Sequence, residues 1–380
     1  MRLLMSCLAL IATTGILPAG EKPPLRQRTA GWPAGHLQGV AVDLERGHLY
    51  YSFTTLLAKY DFQGRLLGTL VGWSGHLGDL DFNPADGHVY GSLEYKKASG
   101  FYVAVIDVAR IDRPGLDARA TGILRTVFLP EVAADYAADL DGNGAFDGDT
   151  ARTADHRYGC SGIDGVSFGP RFGTTSGPRL LTVAYGVYAN PERNDNDHQV
   201  LLQYDVAGWK ETLRPLSEPS PSQAGGAKAL GRYFVRTGNT TYGVQNLAYD
   251  GHLGRWFLGA YAGTKPAFPN YRLFAIDAGV APRPGRLLGV DGAGGAEEGL
   301  LLTLADAGMK DERSGIRGWR QKADVGLQPV GGGLCYVGRN FADGKQQSGE
   351  VILMRWTGEP AEPFVPATAE EAAQATGVAR

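Results

Sequence analysis

Apolar and polar residues alternate with a period of two through His76–Glu94, HLGDLDFNPADGHVYGSLE. Leu80 and Phe82 alternate with Asp81 and Asn83 before an Asn-Pro and Asp-Gly turn, and Val89 and Gly91 alternate with Tyr90 and Ser92 after it. Alternation on both sides of a turn predicts a β-hairpin. The pattern occurs five times, at His36–Ser52, His76–Glu94, Gly162–Gly186, Val244–Gly263 and Ala323–Asn340. Each copy leads into a third apolar strand: LAKYD, YVAVIDV, VLLQYDV, RLFAIDA and VILMRW.

Units of this kind, repeated at intervals of tens of residues, predict an all-β fold. The expected architecture is a β-propeller with five blades of three to four antiparallel strands. A β-sandwich is the alternative, and it leaves the repetition unexplained. Unit two carries its fourth strand late, at Gly122–Leu129, and residues 21–34 are either a lead-in or a strand that closes the ring. Asp291–Gly299 reads as a Gly-rich linker, and the stretch after it as a short helix or the outer strand of unit four. The expected organisation is a signal peptide over 1–20, a single propeller over 21–359 and a flexible tail over 360–380. The chain resembles secreted bacterial five-bladed propellers through this repeat, over nearly all of the mature sequence. It matches no reaction-defining motif of the sugar-cleaving or calcium-dependent nucleotidase propellers, so the resemblance implies a fold and no catalytic residue.

Composition changes this picture in three places. The leader pairs Arg2 with the apolar run Leu3–Leu17 and the small-residue exit Pro18-Ala19-Gly20, which predicts export to a secreted or periplasmic location. That run is too short to span a bilayer. Formal net charge is −3 with no basic field, which excludes a nucleic-acid partner. Cys160 and Cys335 lie in non-adjacent units and read as buried small apolar residues rather than a bridge. A monomer is expected.

Candidate chemistry lies in three groups. Aligning the first strands gathers Gln38, Asp79, Asp164, Gln245, Asn246 and Asp324 at one end of the ring axis. Carboxylates converging there repel one another, and Ca²⁺, a hard cation that takes six to eight oxygens, relieves the repulsion. The second group is DLDGNGAFDGD, in which Asp139, Asp141, Asn143 and Asp147 have the spacing of a calcium loop. Its twelfth position is Thr150, so the missing ligand falls to Asp149, Asp155 or water. The third group is Glu94, Tyr185, Tyr261, Arg339 and Asn340, at the ends of second strands. It reads as a pocket for a small polar ligand, such as a carbohydrate, with a protein partner on the blade tops equally in keeping. Two functions follow. One is an exported binding or scaffold propeller with calcium sites. The other is a hydrolase or lyase on a carbohydrate or phosphate ester, with Asp79, Glu94 and Asp164 as acid and base.

Overall fold

The computed structural model describes residues 22–292 and 295–375, so the leader lies outside the described residues. Five antiparallel sheets stand round one axis, their innermost strands being Leu37–Asp43, His76–Asn83, Cys160–Gly169, Thr241–Asp250 and Leu327–Gly331. The third strands fall where the apolar runs predict them: Leu56–Asp61, Gly100–Ile106, His198–Tyr204, Leu273–Asp277 and Gln346–Trp356. Every residue of Leu37–Asp43 and Cys160–Gly169 is buried, because neighbouring blades cover both faces of an inner strand.

Ring closure uses the N-terminus. Arg26–Arg28 pairs with Gln346–Trp356 as the fourth strand of blade five. Gln27 then locks this strand to blade one, donating Nε2 to the Asp61 carbonyl at 2.7 Å and accepting from Tyr51 Oη at 2.8 Å. The late fourth strand of blade two is present at Leu124–Phe128. Adjacent blades are stapled by serines at equivalent second-strand positions. Ser52 donates to the Gly78 carbonyl and Ser92 to the Asp164 carbonyl, both at 2.6 Å.

Two outer segments differ from the expectation. Asp291–Gly299 is part of a hairpin rather than a linker: Arg283–Gly292 pairs with Gly295–Leu302, and the latter joins the Gly231–Arg236 strand of blade three in parallel. Blade four consequently has three strands and is finished by bridges from Leu304 to Ile276 and from Trp319 to Leu273. The tail is docked. Phe364–Pro366 pairs with the last strand of blade five, and the helix Ala369–Ala375 buries Ala372 and Ala375. Cys160 and Cys335 are buried and free.

Candidate functional site at the axial mouth

Four of the five inner strands carry a β-bulge at the same height, between Leu37 and Gly39, Leu77 and Leu80, Ile163 and Val166, and Val244 and Asn246. A bulge breaks strict alternation and re-aims side chains, here toward the axis. Two layers result.

The inner layer consists of Gly39, Asp79, Gly165, Asn246 and Gly326, one residue from each blade. Asp79 Oδ2 accepts the amides of Val166 at 3.0 Å and Leu247 at 2.9 Å. Asn246 donates Nδ2 to the Gln38 carbonyl at 2.8 Å and accepts the Gly326 amide. Two side chains thus tie the inner strands of all five blades together. The glycines make room for them: a Cβ on Gly39 would lie 2.6 Å from Asp79 Cα, and one on Gly165 3.0 Å from Val244. This layer is a plug. Asp79 is 1% exposed, and burial holds its carboxyl well above the ordinary range against the opposing pull of the Leu247 and Val166 amides. Asp79 and Asn246 therefore tie the ring together; backbone N–H groups meet one Asp79 oxygen, and its buried Oδ1 has no hydrogen-bond partner among the described residues.

One layer outward stand Gln38, Gly78, Asp164, Gln245 and Val325. Gln38 is committed to Thr54 Oγ1 at 3.2 Å. Gln245 Nε2 donates to Asp164 Oδ2 at 2.9 Å and to the Tyr242 carbonyl at 2.7 Å. Glu94, paired with His76 across the first two strands of blade two, lies beside Asp164. One Glu94 oxygen takes the Ile163 amide at 2.5 Å. The other faces His76 Nδ1 and Lys96 Nζ, each at 3.6 Å. Gly162, at φ 124°, leaves the space this carboxylate occupies, since a Cβ there would collide with it.

Of this group His76, Glu94 and Lys96 line a cleft of about 710 Å³, with Asp149 among others, and Asp164, next to Glu94, does not line it. Burial, and next the Glu94 charge, push the Asp164 carboxyl up to about 7, against His76, Lys96 and Gln245. The His76 side chain is 33% exposed, recessed but wet. Burial lowers its affinity for a proton; the Glu94 hydrogen bond and the Asp164 charge outweigh that and hold it above the ordinary imidazole range. Lys96 is raised in the same way, burial being outweighed by Glu94, Asp149 and Asp164.

The remaining candidates divide. Tyr185 is fully buried between blades two and three and donates to Asp135 at 3.0 Å, so it cannot meet a ligand at the mouth. Asp324 pairs with Arg272 and stands off the axis. Tyr261, Arg339 and Asn340 line a groove between blades four and five, the Asn340 amide being committed to the Leu37 amide at 2.9 Å and to Gln347 at 2.8 Å. In the insertion, ligand atoms of Asp139, Asp141 and Asp155 lie within 4.8 Å of one another. Asn143 and Asp147 instead brace the loop through Ala145 N at 2.7 Å and Thr153 Oγ1 at 2.7 Å. Lys96, Tyr242, Arg272 and Arg320 are missed by strand patterning. They sit in or beside the connections at the mouth, and the one sequence signal is their place just before, at or after strand ends.

No family model matches this chain, and no curated protein matches it. Among solved structures it is similar to a protein of unknown function from Bacteroides caccae, at 10% identity over 64% of this chain and 78% of that one, with a TM-score of 0.26. It is also similar to the soluble aldose sugar dehydrogenase of Escherichia coli in the apo-form, at 10% identity over 86% and 98%, TM-score 0.36. A third similar structure is exo-β-1,3-galactanase from Phanerochaete chrysosporium with galactose, at 10% identity over 89% and 66%, TM-score 0.40. No residue role is carried across at these identities.

Among the described residues no helix is long and apolar enough to cross a membrane.

Proposed function

We propose that the protein is an exported propeller that binds a small polar ligand, carbohydrate by preference, in the axial mouth. The observation that carries this reading is the Glu94 carboxylate, 3% exposed yet lining an open cleft, with the Asp164 carboxyl, 8% exposed, beside it. Carboxylates are costly to bury, and Glu94 gives one oxygen to the Ile163 amide and turns the other toward His76 and Lys96 at the cleft. Tyr242 adds to it: it is 49% exposed at the mouth, held at φ 59°, and its ring offers a stacking face. In the same reading Ca²⁺ is held by Asp139, Asp141 and Asp155 and orders the loop that brings Asp149 to the cleft.

A second reading, hydrolysis or elimination on a carbohydrate or phosphate ester, is favoured by the Asp164 carboxyl near 7. A group that holds its proton to neutrality can give it to a leaving oxygen, with Glu94 as its partner. The test is calorimetric titration of neutral and acidic sugars into the full chain, its Glu94→Gln variant and its Asp164→Asn variant, with a turnover screen on glycosides and phosphate esters. Binding that survives both substitutions unchanged would sink the site. Turnover lost in Asp164→Asn with binding kept would establish the second reading over the first.

A further inference from the structure

We propose that the groove between blades four and five is an oxyanion subsite of the axial mouth, so that the ligand carries a carboxylate, sulfate or phosphate group. This rests on the reading of the mouth as a binding site and names the chemical class of its ligand. The groove has a volume of about 680 Å³ and sets Arg272, Arg320, Lys322 and Arg339 against a single carboxylate, Asp324. Arg272 pairs with that carboxylate, and its buried Nε has no partner. Arg320, Lys322 and Arg339 are exposed, and their side chains make no hydrogen bond or ion pair to the protein among the described residues. Three other exposed arginines do lie against a carboxylate: Arg26 on Glu350 at 2.7 Å, Arg65 on Asp61 at 2.5 Å, Arg119 on Asp117 at 2.6 Å.

Three uncompensated cations in one half-enclosed groove, on a chain of net charge −3, form a local field that concentrates anions. The planar guanidinium fork suits two-point contact with an oxyanion, which a neutral hydroxyl does not reward. The groove reaches the outer layer of the mouth at Val325. Tyr261 lines the groove, and the charges of Asp324 and Asp164 both act on its hydroxyl, so it stands between the two.

The experiment titrates four probes into the full-length protein: digalacturonate, neutral digalactose, glucose 6-phosphate and inorganic phosphate. Each is repeated with the double variant Arg320→Gln, Arg339→Gln, both sites being exposed, and with Glu94→Gln. The expected result is an acidic probe bound at least about tenfold more tightly than digalactose, the preference falling to near unity in the double variant and shrinking with salt. Digalacturonate ahead of glucose 6-phosphate identifies a carboxylated saccharide; the reverse identifies a phosphate ester; inorganic phosphate as tight as either identifies a free anion. Equal affinity for acidic and neutral probes, or a preference untouched by the double variant, overturns the subsite. Neutral binding that depends on Glu94 without acidic preference would leave the axial reading standing and remove this one. Acidic binding that depends on the arginines and ignores Glu94 would do the opposite. Absence of binding by all four probes at millimolar concentration overturns both.

Discussion

Asp79 and Asp164 occupy neighbouring layers of the same bulged strands, and the ring treats them in opposite ways. Asp79 meets two backbone amides, at 3.0 and 2.9 Å, in a layer where glycines leave no free volume. Asp164 meets one amide side chain at 2.9 Å, and beyond it the charges of Glu94, His76 and Lys96, which line a cleft. Backbone donors are fixed by the fold, so a carboxyl that satisfies them becomes part of the fold. Side-chain partners can be exchanged for a ligand. The same residue type is therefore architecture in one layer and available chemistry in the next.

The strongest way to break this comparison is to remove the inner carboxyl. Asp79→Ala leaves two buried amides without an acceptor, and at about 1–3 kcal/mol for each such group the loss is about 3–5 kcal/mol with the cavity included. Asp79→Asn keeps an acceptor oxygen and should lose well under half of that. Urea denaturation of the two variants checks the order, and equal losses would mean that volume rather than the amide contacts holds the plug. Asn246→Ala comes next, at about 2–4 kcal/mol, because it frees the Gly326 amide and the Gln38 carbonyl together. Since the two meet on the blade-four strand, where Asp79 takes the Leu247 amide next to Asn246, the double variant should lose less than the sum of the singles.

Asp164→Asn should move stability the other way, and only at higher pH. An unfolded aspartate titrates near 3.9, whereas the folded Asp164 carboxyl is pushed up to about 7. The folded state therefore binds the proton more tightly, and stability is lost as pH rises between those values. Asparagine does not titrate, so the variant's advantage over wild type should widen by roughly 2–3 kcal/mol from pH 5 to pH 8. His76, raised in the folded state, loses stability in the same direction as pH climbs through its folded pKa. Urea midpoints for both proteins at the two pH values decide the matter. An advantage that stays constant with pH would mean that Asp164 is ionised throughout.

The repeat made the five blades and their third strands legible, because hairpins with period-two alternation and turn residues are local signals. The bulges are not local signals. At Gly78-Asp79 and Asp164-Gly165 the alternation slips by one, so a register counted along the chain puts Asp79 and Asp164 in one ring when they stand in two. Tyr185 was placed at the mouth by the same counting, yet its strand turns it into the core against Asp135. The parallel return of Gly295–Leu302 to blade three is long-range and carries no pattern of its own. Arg272 stands just before the third strand of blade four and Arg320 in the connection of little periodicity that follows it, and only the folded ring brings them to Arg339.

The smallest expected effect concerns a third way of holding carboxylates. Asp139 accepts the amides of Gly142 at 2.8 Å and Gly144 at 2.8 Å, as Asp79 accepts amides in the plug. Unlike the plug, this loop is exposed and lets the ligand atoms of Asp139, Asp141 and the buried Asp155 converge within 4.8 Å. If loop amides alone compensate the three, calcium should change nothing. If the convergence is a cation site, calcium at about ten times its Kd stabilises the folded state by about 1.4 kcal/mol, a rise in Tm of only a degree or two for a chain of this size. Asp155→Asn should abolish that rise while leaving the calcium-free Tm lower, because Asp155 also accepts the Asp147 amide at 2.9 Å. Melting curves in chelator and in millimolar calcium, for wild type and variant, separate the two. An identical wild-type Tm in both conditions would place this loop with the plug, as carboxylates met by backbone amides. A shift retained in Asp155→Asn would move the cation elsewhere.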